Sequence, residues 1–333
     1  MTTTIFLKLL AIFVIVAIGW IVGRLRWLGA GPEPEGGAGG DPARVLANAA
    51  YYIFVPALLF RTTARIDFAT MPWRTLLAAF LPMVVVLIAV YLSQRSAARA
   101  GQLPVAAPSV RAISAVFGNS VQVGIPMAAA LFGEAGLAIH LAIVSVHALV
   151  LLTLTTALVE LDLTRAARAG GADTHLVATL LATARNTMIH PVVLPVLAGL
   201  AWNALGLPLP AIADEILTTL GQAVVPLCLV LIGMSLAYYG VGGALRPAAG
   251  LTAVKLLAVP TLVLAVAHWG FGLTGVPLAV VVMMAALPIG TNALIFAQRY
   301  HTLEAETTAA TVFSTLAFVA TAPLWLVLLA RIG

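Results

Sequence analysis

Phe117-Gly-Asn-Ser-Val-Gln-Val-Gly-Ile-Pro-Met127 lies inside a run apolar enough to cross a membrane, yet it does not read as an uninterrupted helix. Gly118, Gly124 and Pro126 fall within nine residues, beside Asn119, Ser120 and Gln122. Pro126 removes an N–H and disturbs the carbonyl one turn back. The glycines permit unusual dihedrals and close backbone approach. Backbone groups freed in this way cannot face lipid, so they must face protein or a water-filled cavity. A broken helix also exposes a half-helix N-terminus, whose N–H groups and dipole favour an anion.

Further along, Ala286-Leu-Pro-Ile-Gly-Thr-Asn-Ala293 repeats the chemistry with Pro288, Gly290, Thr291 and Asn292. One such stretch alone reads more simply as a proline kink whose polar side chains glue helices together. Two of them at matching positions are a different signal. They predict one polar site near the bilayer midplane, built by Asn119, Ser120, Gln122 and Pro126 together with Pro288, Gly290, Thr291 and Asn292.

The surrounding composition fits a membrane protein. Of 333 residues, 62% are hydrophobic and 9% charged, against about 25% charged in a soluble domain. Mean hydropathy is +1.08. A soluble protein cannot hide that much apolar surface and keep a polar exterior. Soluble enzymes, nucleic-acid binders and disordered chains are thereby excluded. The net charge of +5 sits in the breaks between apolar runs, where the basic bias of cytoplasmic loops accounts for it better than nucleic acid does. Cys228 is the only cysteine, so no internal disulfide and no cysteine-built metal site can form. The first apolar run is long and lacks a small-residue cleavage site, so it reads as a span and not as a signal peptide.

Apolar runs of spanning length predict about ten helices, at roughly 4–23, 45–63, 72–93, 110–132, 136–159, 186–205, 212–237, 247–269, 277–298 and 307–330. Turn chemistry fills the gaps, in Gly29 to Pro42, Gln94 to Pro108, Glu160 to Thr174 and Leu207-Pro-Leu-Pro210. With both termini outside, Lys and Arg divide 11 inside against 5 outside, the asymmetry the positive-inside rule favours. The loop carrying Arg61, Arg65 and Arg74 runs against it. The Glu160–Thr174 loop nearly bisects the chain into a first repeat over 1–160, a cytoplasmic linker over 161–185 and a second repeat over 186–333. An odd number of spans in each half forces the halves into opposite orientations. Phe54-Val-Pro-Ala-Leu58 resembles Val224-Val-Pro-Leu-Cys228, and Gly124-Ile-Pro126 has a counterpart in Leu287-Pro-Ile-Gly290. Inverted repeats with interrupted helices in corresponding positions are a signature of secondary transporters. The predicted fold is an all-α integral membrane protein. Its ten or so transmembrane helices form two inverted five-helix repeats, with broken fourth and ninth helices.

Few titratable residues lie inside the spans. Lys255, in the eighth, is close enough to the cytoplasmic end to snorkel to water; its alternative role is to balance an anionic substrate. Glu134, at the outer end of the fourth, reads as interfacial, with a proton or cation role as the alternative. His140 and His147 share one face of the fifth, where neutral packing against Ser and Thr competes with a proton relay. Gln222 faces either a neighbouring helix or the pocket. No His-Glu-x-x-His, intramembrane aspartate pair or Gly-x-x-x-x-Gly-Lys-Ser/Thr occurs. Neither an embedded protease nor a nucleotide hydrolase is therefore indicated. Ser114, Ser120 and His147 show no pattern that marks a triad. No catalytic residue, metal or cofactor is expected.

These segments resemble a known family. Gly118-Asn-Ser followed by Gly124-Ile-Pro126 is similar to the glycine–asparagine–threonine and glycine–isoleucine–proline stretch of the auxin efflux carrier family. That family includes bacterial organic-acid carriers and plant PIN-type auxin transporters. Asn48 with Phe54 and Pro56 resembles its second helix, and Gly221-Gln-Ala-Val-Val-Pro-Leu227 with Gly233-Met-Ser235 its seventh. Pro288 to Asn292, Arg299-Tyr300, Ser314-Thr-Leu316 and Pro323-Leu-Trp325 resemble its last two. The likeness runs from about Leu10 to the C-terminus and is to the compact bacterial form, without a large hydrophilic central loop. It implies a dimerising scaffold of helices 1, 2, 6 and 7. It also implies a transport domain of helices 3–5 and 8–10 that slides like an elevator. In PIN-type members an asparagine on each crossover contacts the substrate carboxylate. Asn119 matches the first, and Asn292, four residues after Pro288, is the candidate for the second.

The implied function is secondary transport of a small organic anion across a bacterial inner membrane, by a homodimer embedded in lipid. A sodium-coupled carrier of the bile-acid symporter type is the nearest rival. Such sites use more acidic ligands for Na⁺, and these crossovers carry no acid. A channel or membrane-embedded sensor is a rival from another class, for which paired crossovers would be wasteful.

Overall fold

The computed structural model describes residues 2–29, 42–65, 72–169, 185, 189, 191, 193–239 and 245–332. Its elements are helices α1 (Thr2–Arg24), α2 (Pro42–Ala49), α3 (Val55–Ala64), α4 (Trp73–Arg99), α5 (Ala107–Val116), α6 (Ile125–Ala169) and α7 (Val193–Ala204), followed by α8 (Ala211–Tyr239), α9 (Leu245–Ala253), α10 (Val259–Ala265), α11 (Gly275–Ala286), α12 (Thr291–Arg299) and α13 (Glu304–Ile332). Lipid offers the backbone no hydrogen bonds, which is why the apolar runs fold this way. Among the described residues six helical stretches are long and apolar enough to span: Pro42–Ala64, Trp73–Arg99, Met127–Ala167, Ala211–Leu231, Leu245–Gly270 and Glu304–Ile332. Val14–Arg24, Leu194–Ala204 and Gly275–Ala286 are shorter apolar helices. The chain is an integral membrane protein.

Wider π-type turns interrupt the helices at Ala50–Phe54, Ser120–Gly124, Val254–Ala258 and Val266–Gly270. The first three each end two residues before a proline: Pro56, Pro126 and Pro260. A proline clashes with the carbonyl four residues back and cannot donate to it. Widening the preceding turn gives that carbonyl room. Pro82, Pro226 and Pro323 sit inside continuous helix instead. At Gly133 the chain turns sharply inside α6, with φ 63° and ψ −160°. Only glycine takes those angles without strain.

Two boundaries differ from the sequence reading: the loop expected to begin at Gln94 is helical through Arg99, and a second difference lies in α6. The loop expected to begin at Glu160 is helical through Ala169, so the 160/161 division falls within α6. Asp162 holds this extension against α4. It accepts a 2.7 Å hydrogen bond from Tyr91 and pairs with Arg95 and Arg165 at 3.3 Å. Most of the expected linker, 170–184, lies outside the described residues.

Packing divides the helices into two groups. In the first, α8 packs along α1 and also meets α2 and α3, while α3 meets α7. In the second, α4 meets α5, α10 and α11; α13 meets α9, α11 and α12; and α6 meets α5 and α11. The main buried cluster is drawn largely from this second group. Lipid is as apolar as leucine, so close contact rather than water exclusion holds such helices together. At the α1–α8 seam a Cβ on Gly19 would lie 2.1 Å from the Val230 carbonyl oxygen, and one on Gly233 2.0 Å from that of Val16. No larger residue allows this approach.

Candidate functional site

The two interrupted stretches meet. The chain leaves α5 at Val116 and leaves α11 at Ala286, and the two extended pieces lie antiparallel, with Gly118 opposite Ile289. Gly290 N–H donates to the Phe117 carbonyl at 2.9 Å, and Asn119 N–H to the Pro288 carbonyl at 2.8 Å. Ile289 N–H donates to Ser314 Oγ on α13 at 3.0 Å. Backbone groups freed by breaking both helices are thus satisfied by each other and by a third helix, as burial requires. Gly290 is needed for this proximity. A Cβ on Gly290 would lie 2.9 Å from the Gly118 oxygen and 3.0 Å from Phe117 Cδ1.

Beyond the crossing each chain becomes helical again. The π-turn starts at Ser120 and α12 at Thr291. Both starts line a cavity of about 460 Å³, with Phe117, Gly118, Asn119, Val121, Gly290 and Asn292 on the same wall. Helix starts leave N–H groups unused by the helix and carry the positive end of its dipole. The cavity therefore has two positive helix ends and three primary amides, and among the described residues no acid lines it. That combination suits an anion. The opposite wall comes from α2 and its π-turn, with Arg44, Asn48 and Tyr52. Arg299 and His301, at and beyond the end of α12, add to it.

Behind Asn119, α6 supplies two buried imidazoles. His140 Nε2 donates to the Ser120 carbonyl at 2.8 Å. His147 Nδ1 lies 3.4 Å from Ser120 Oγ, and its ring centroid is 4.3 Å from that of Phe117. His147 Nε2 is buried with no hydrogen-bond partner. Outside the spans, Tyr300 donates to Glu160 at 2.9 Å and ties the end of α12 to α6. Burial, and then the negative charge of Glu160, push the Tyr300 hydroxyl well above its ordinary value, so it remains a donor.

Of the residues singled out by sequence, Asn119, Ser120, Gly290, Thr291 and Asn292 come together at the cavity, and Pro288 lies buried in the crossing. The Gln122 and Pro126 side chains lie outside the described residues. Glu134 is exposed at the Gly133 corner, away from the cavity lining. His147 stands behind the site. Lys255 does not snorkel: it is fully buried, and its Nζ donates to the Ala285 carbonyl at the end of α11. Sequence reasoning did not place Tyr52, Arg44 or His301 at the site. Arg44 carried a signal only as a loop charge. Asn48 entered only through the family resemblance.

A helical membrane protein whose broken helices cross at the wall of an anion-suited cavity has the form of a transporter. Comparison with known proteins agrees: the sequence profile of the family described as Membrane transport protein matches residues 4–326. The chain belongs to this family, the auxin efflux carriers. A Rhizobium meliloti (strain 1021) protein named "Putative malonate transporter" is 28% identical over 162 residues, 46% of this chain and 48% of that protein. The match thus spans about half the length of that relative.

Proposed function

We propose that this protein is a secondary carrier for a small carboxylate anion of the malonate type. The observation that carries the reading is the pairing of two broken helices through Gly118 and Ile289 at the wall of the cavity. In this reading the described helices belong to ten spans in two inverted repeats, with both termini outside. Asn119 and Asn292 donate to the carboxylate, assisted by Ser120, Thr291 and the helix starts. Neutral donors replace water around the anion without holding it irreversibly. Gln122, Pro126, Pro288 and Gly290 shape the two breaks. The group built on the main core carries the site past a scaffold of α1–α3, α7 and α8, which also dimerises. The relative named for malonate, matched over about half its length, supports the substrate class.

The test is thermal melting of the purified protein with malonate, other short dicarboxylates and aromatic acids. A ligand at a hundredfold its dissociation constant should stabilise the fold by about 2.7 kcal/mol. Malonate should raise the melting temperature of wild type and leave Asn119→Ala unmoved. An Asn119→Ala protein that still responds would remove Asn119 from the site. If no carboxylate shifts the melting of wild type and none enters proteoliposomes, the substrate class is wrong.

A further inference from the structure

Behind the crossover, α6 reaches back to the start of its own half-helix. The chain leaves the π-turn Ser120–Gly124, runs on as α6, turns at Gly133 and returns with His140 beside Ser120. The imidazole is 2% exposed and is not among the cavity's lining residues. Its Nε2 meets the Ser120 carbonyl at 2.8 Å, and a carbonyl only accepts, so Nε2 carries the proton. Gly124 leaves room for this contact, since a Cβ there would lie 2.5 Å from His140 Nε2. The Ser120 carbonyl shares one planar trans peptide with the Val121 N–H, and the two groups of such a plane point opposite ways. With the carbonyl held back toward His140, the Val121 N–H is turned the other way, toward the cavity that Ser120 and Val121 line. The neighbouring N–H groups are engaged elsewhere. Asn119 donates to Pro288 and Ser120 to Gly118, each at 2.8 Å, while Val123 and Gly124 donate to the Asn119 carbonyl at 3.3 and 3.1 Å. Val121 stands in the first turn, where a helix offers an N–H no acceptor of its own. A hydrogen bond to the carbonyl also polarises the peptide and strengthens its N–H as a donor.

We propose that His140 is a positioning residue for anion binding: by holding the Ser120 carbonyl it aims the Val121 N–H at the substrate carboxylate, as a backbone donor beside the Asn119 amide. The ligand rests on the carrier reading, but the orientation of the peptide is tested without one. His140→Gln keeps an N–H at the reach of Nε2, and His140→Met matches glutamine in length without it. Wild type and both variants are isotope-labelled on valine nitrogen for NMR, and the Val121 amide signal is identified by its loss in Val121→Ile. Without ligand, that signal should coincide in wild type and His140→Gln and be displaced in His140→Met. Malonate should move it downfield in wild type and His140→Gln. His140→Met should bind malonate about tenfold more weakly, and His140→Gln within a few-fold of wild type. A core contact with no part in binding would lower the melting temperature of His140→Met and leave its malonate affinity unchanged; that result overturns the proposal. So does a Val121 signal that stays in place in a wild type that binds malonate, or a His140→Gln as weak as His140→Met. Should His140→Met not fold, wild type labelled on histidine nitrogen decides. A proton on Nε2 of His140, with malonate moving the Val121 signal, upholds the proposal, and a proton on Nδ1 alone overturns it. If malonate does not bind wild type, the malonate reading fails, and the ligand-free Val121 signals still decide whether His140 orients the peptide.

Discussion

At Gly290 a single methyl group has nowhere to go. The Gly118 oxygen and the Phe117 ring edge would stand at 2.9 and 3.0 Å, and both belong to the opposite strand of the crossing. At Gly118 the nearest atoms would be at 3.4 Å, an ordinary contact. Gly290→Ala should therefore cost about 2 kcal/mol, and Gly118→Ala less than about 1. Paired melting curves check the order, and equal shifts would mean that the two strands lie further apart than described. The glycines, the prolines and the asparagines of both breaks were legible in the sequence, because such residues inside a span have few uses. The position of Lys255 was not. Sequence gives a lysine's distance from a helix end but not which side of the helix it faces, and the π-turn around it shifts that side again.

At the level of elements, Arg111 on α5 and Glu306 on α13 form a two-pronged pair at 2.7 and 2.9 Å, extended by Gln94 on α4 at 2.7 Å. Their side chains are only 18% and 5% exposed. Removing one partner strands the other, so Arg111→Met or Glu306→Met should each cost roughly 3 kcal/mol. The double variant should lose less than the two singles added together. Melting of all four proteins closes the cycle, and simple additivity would mean the pair does not interact. The π-turns make a second prediction. Pro56 lies two residues after the turn that brings Tyr52 to the cavity. Pro56→Ala removes the cause of the widening and improves helix propensity. Its melting temperature should hold or rise while malonate binding weakens; unchanged binding would mean that the turn is held by packing alone. The sequence showed the prolines but not the turns before them, since Pro82, Pro226 and Pro323 have no such turn.

Across the whole molecule, the apolar runs marked the helices. They could not mark where a helix breaks into pieces too short to span, nor how far α6 runs on. There Asp162 and its partners on α4, distant in sequence, extend the helix. The two packing groups also depend on contacts between distant segments. They touch at several places, among them the one where Val121, in the π-turn after the crossing, packs on the small cluster of Ala50 and Val224. If one group slides past the other, this contact must break in every cycle, whereas Ala43 and Met234 stay together in a cluster of the first group. In a Cys228→Ser background, a disulfide between Val121→Cys and Val224→Cys should stop malonate uptake, and reduction should restore it. One between Ala43→Cys and Met234→Cys should leave uptake close to normal. Arrest by both would point to a general need for flexibility. Arrest by neither would leave the substrate site fixed against α8, and the anion would then have to cross by a local opening of the cavity.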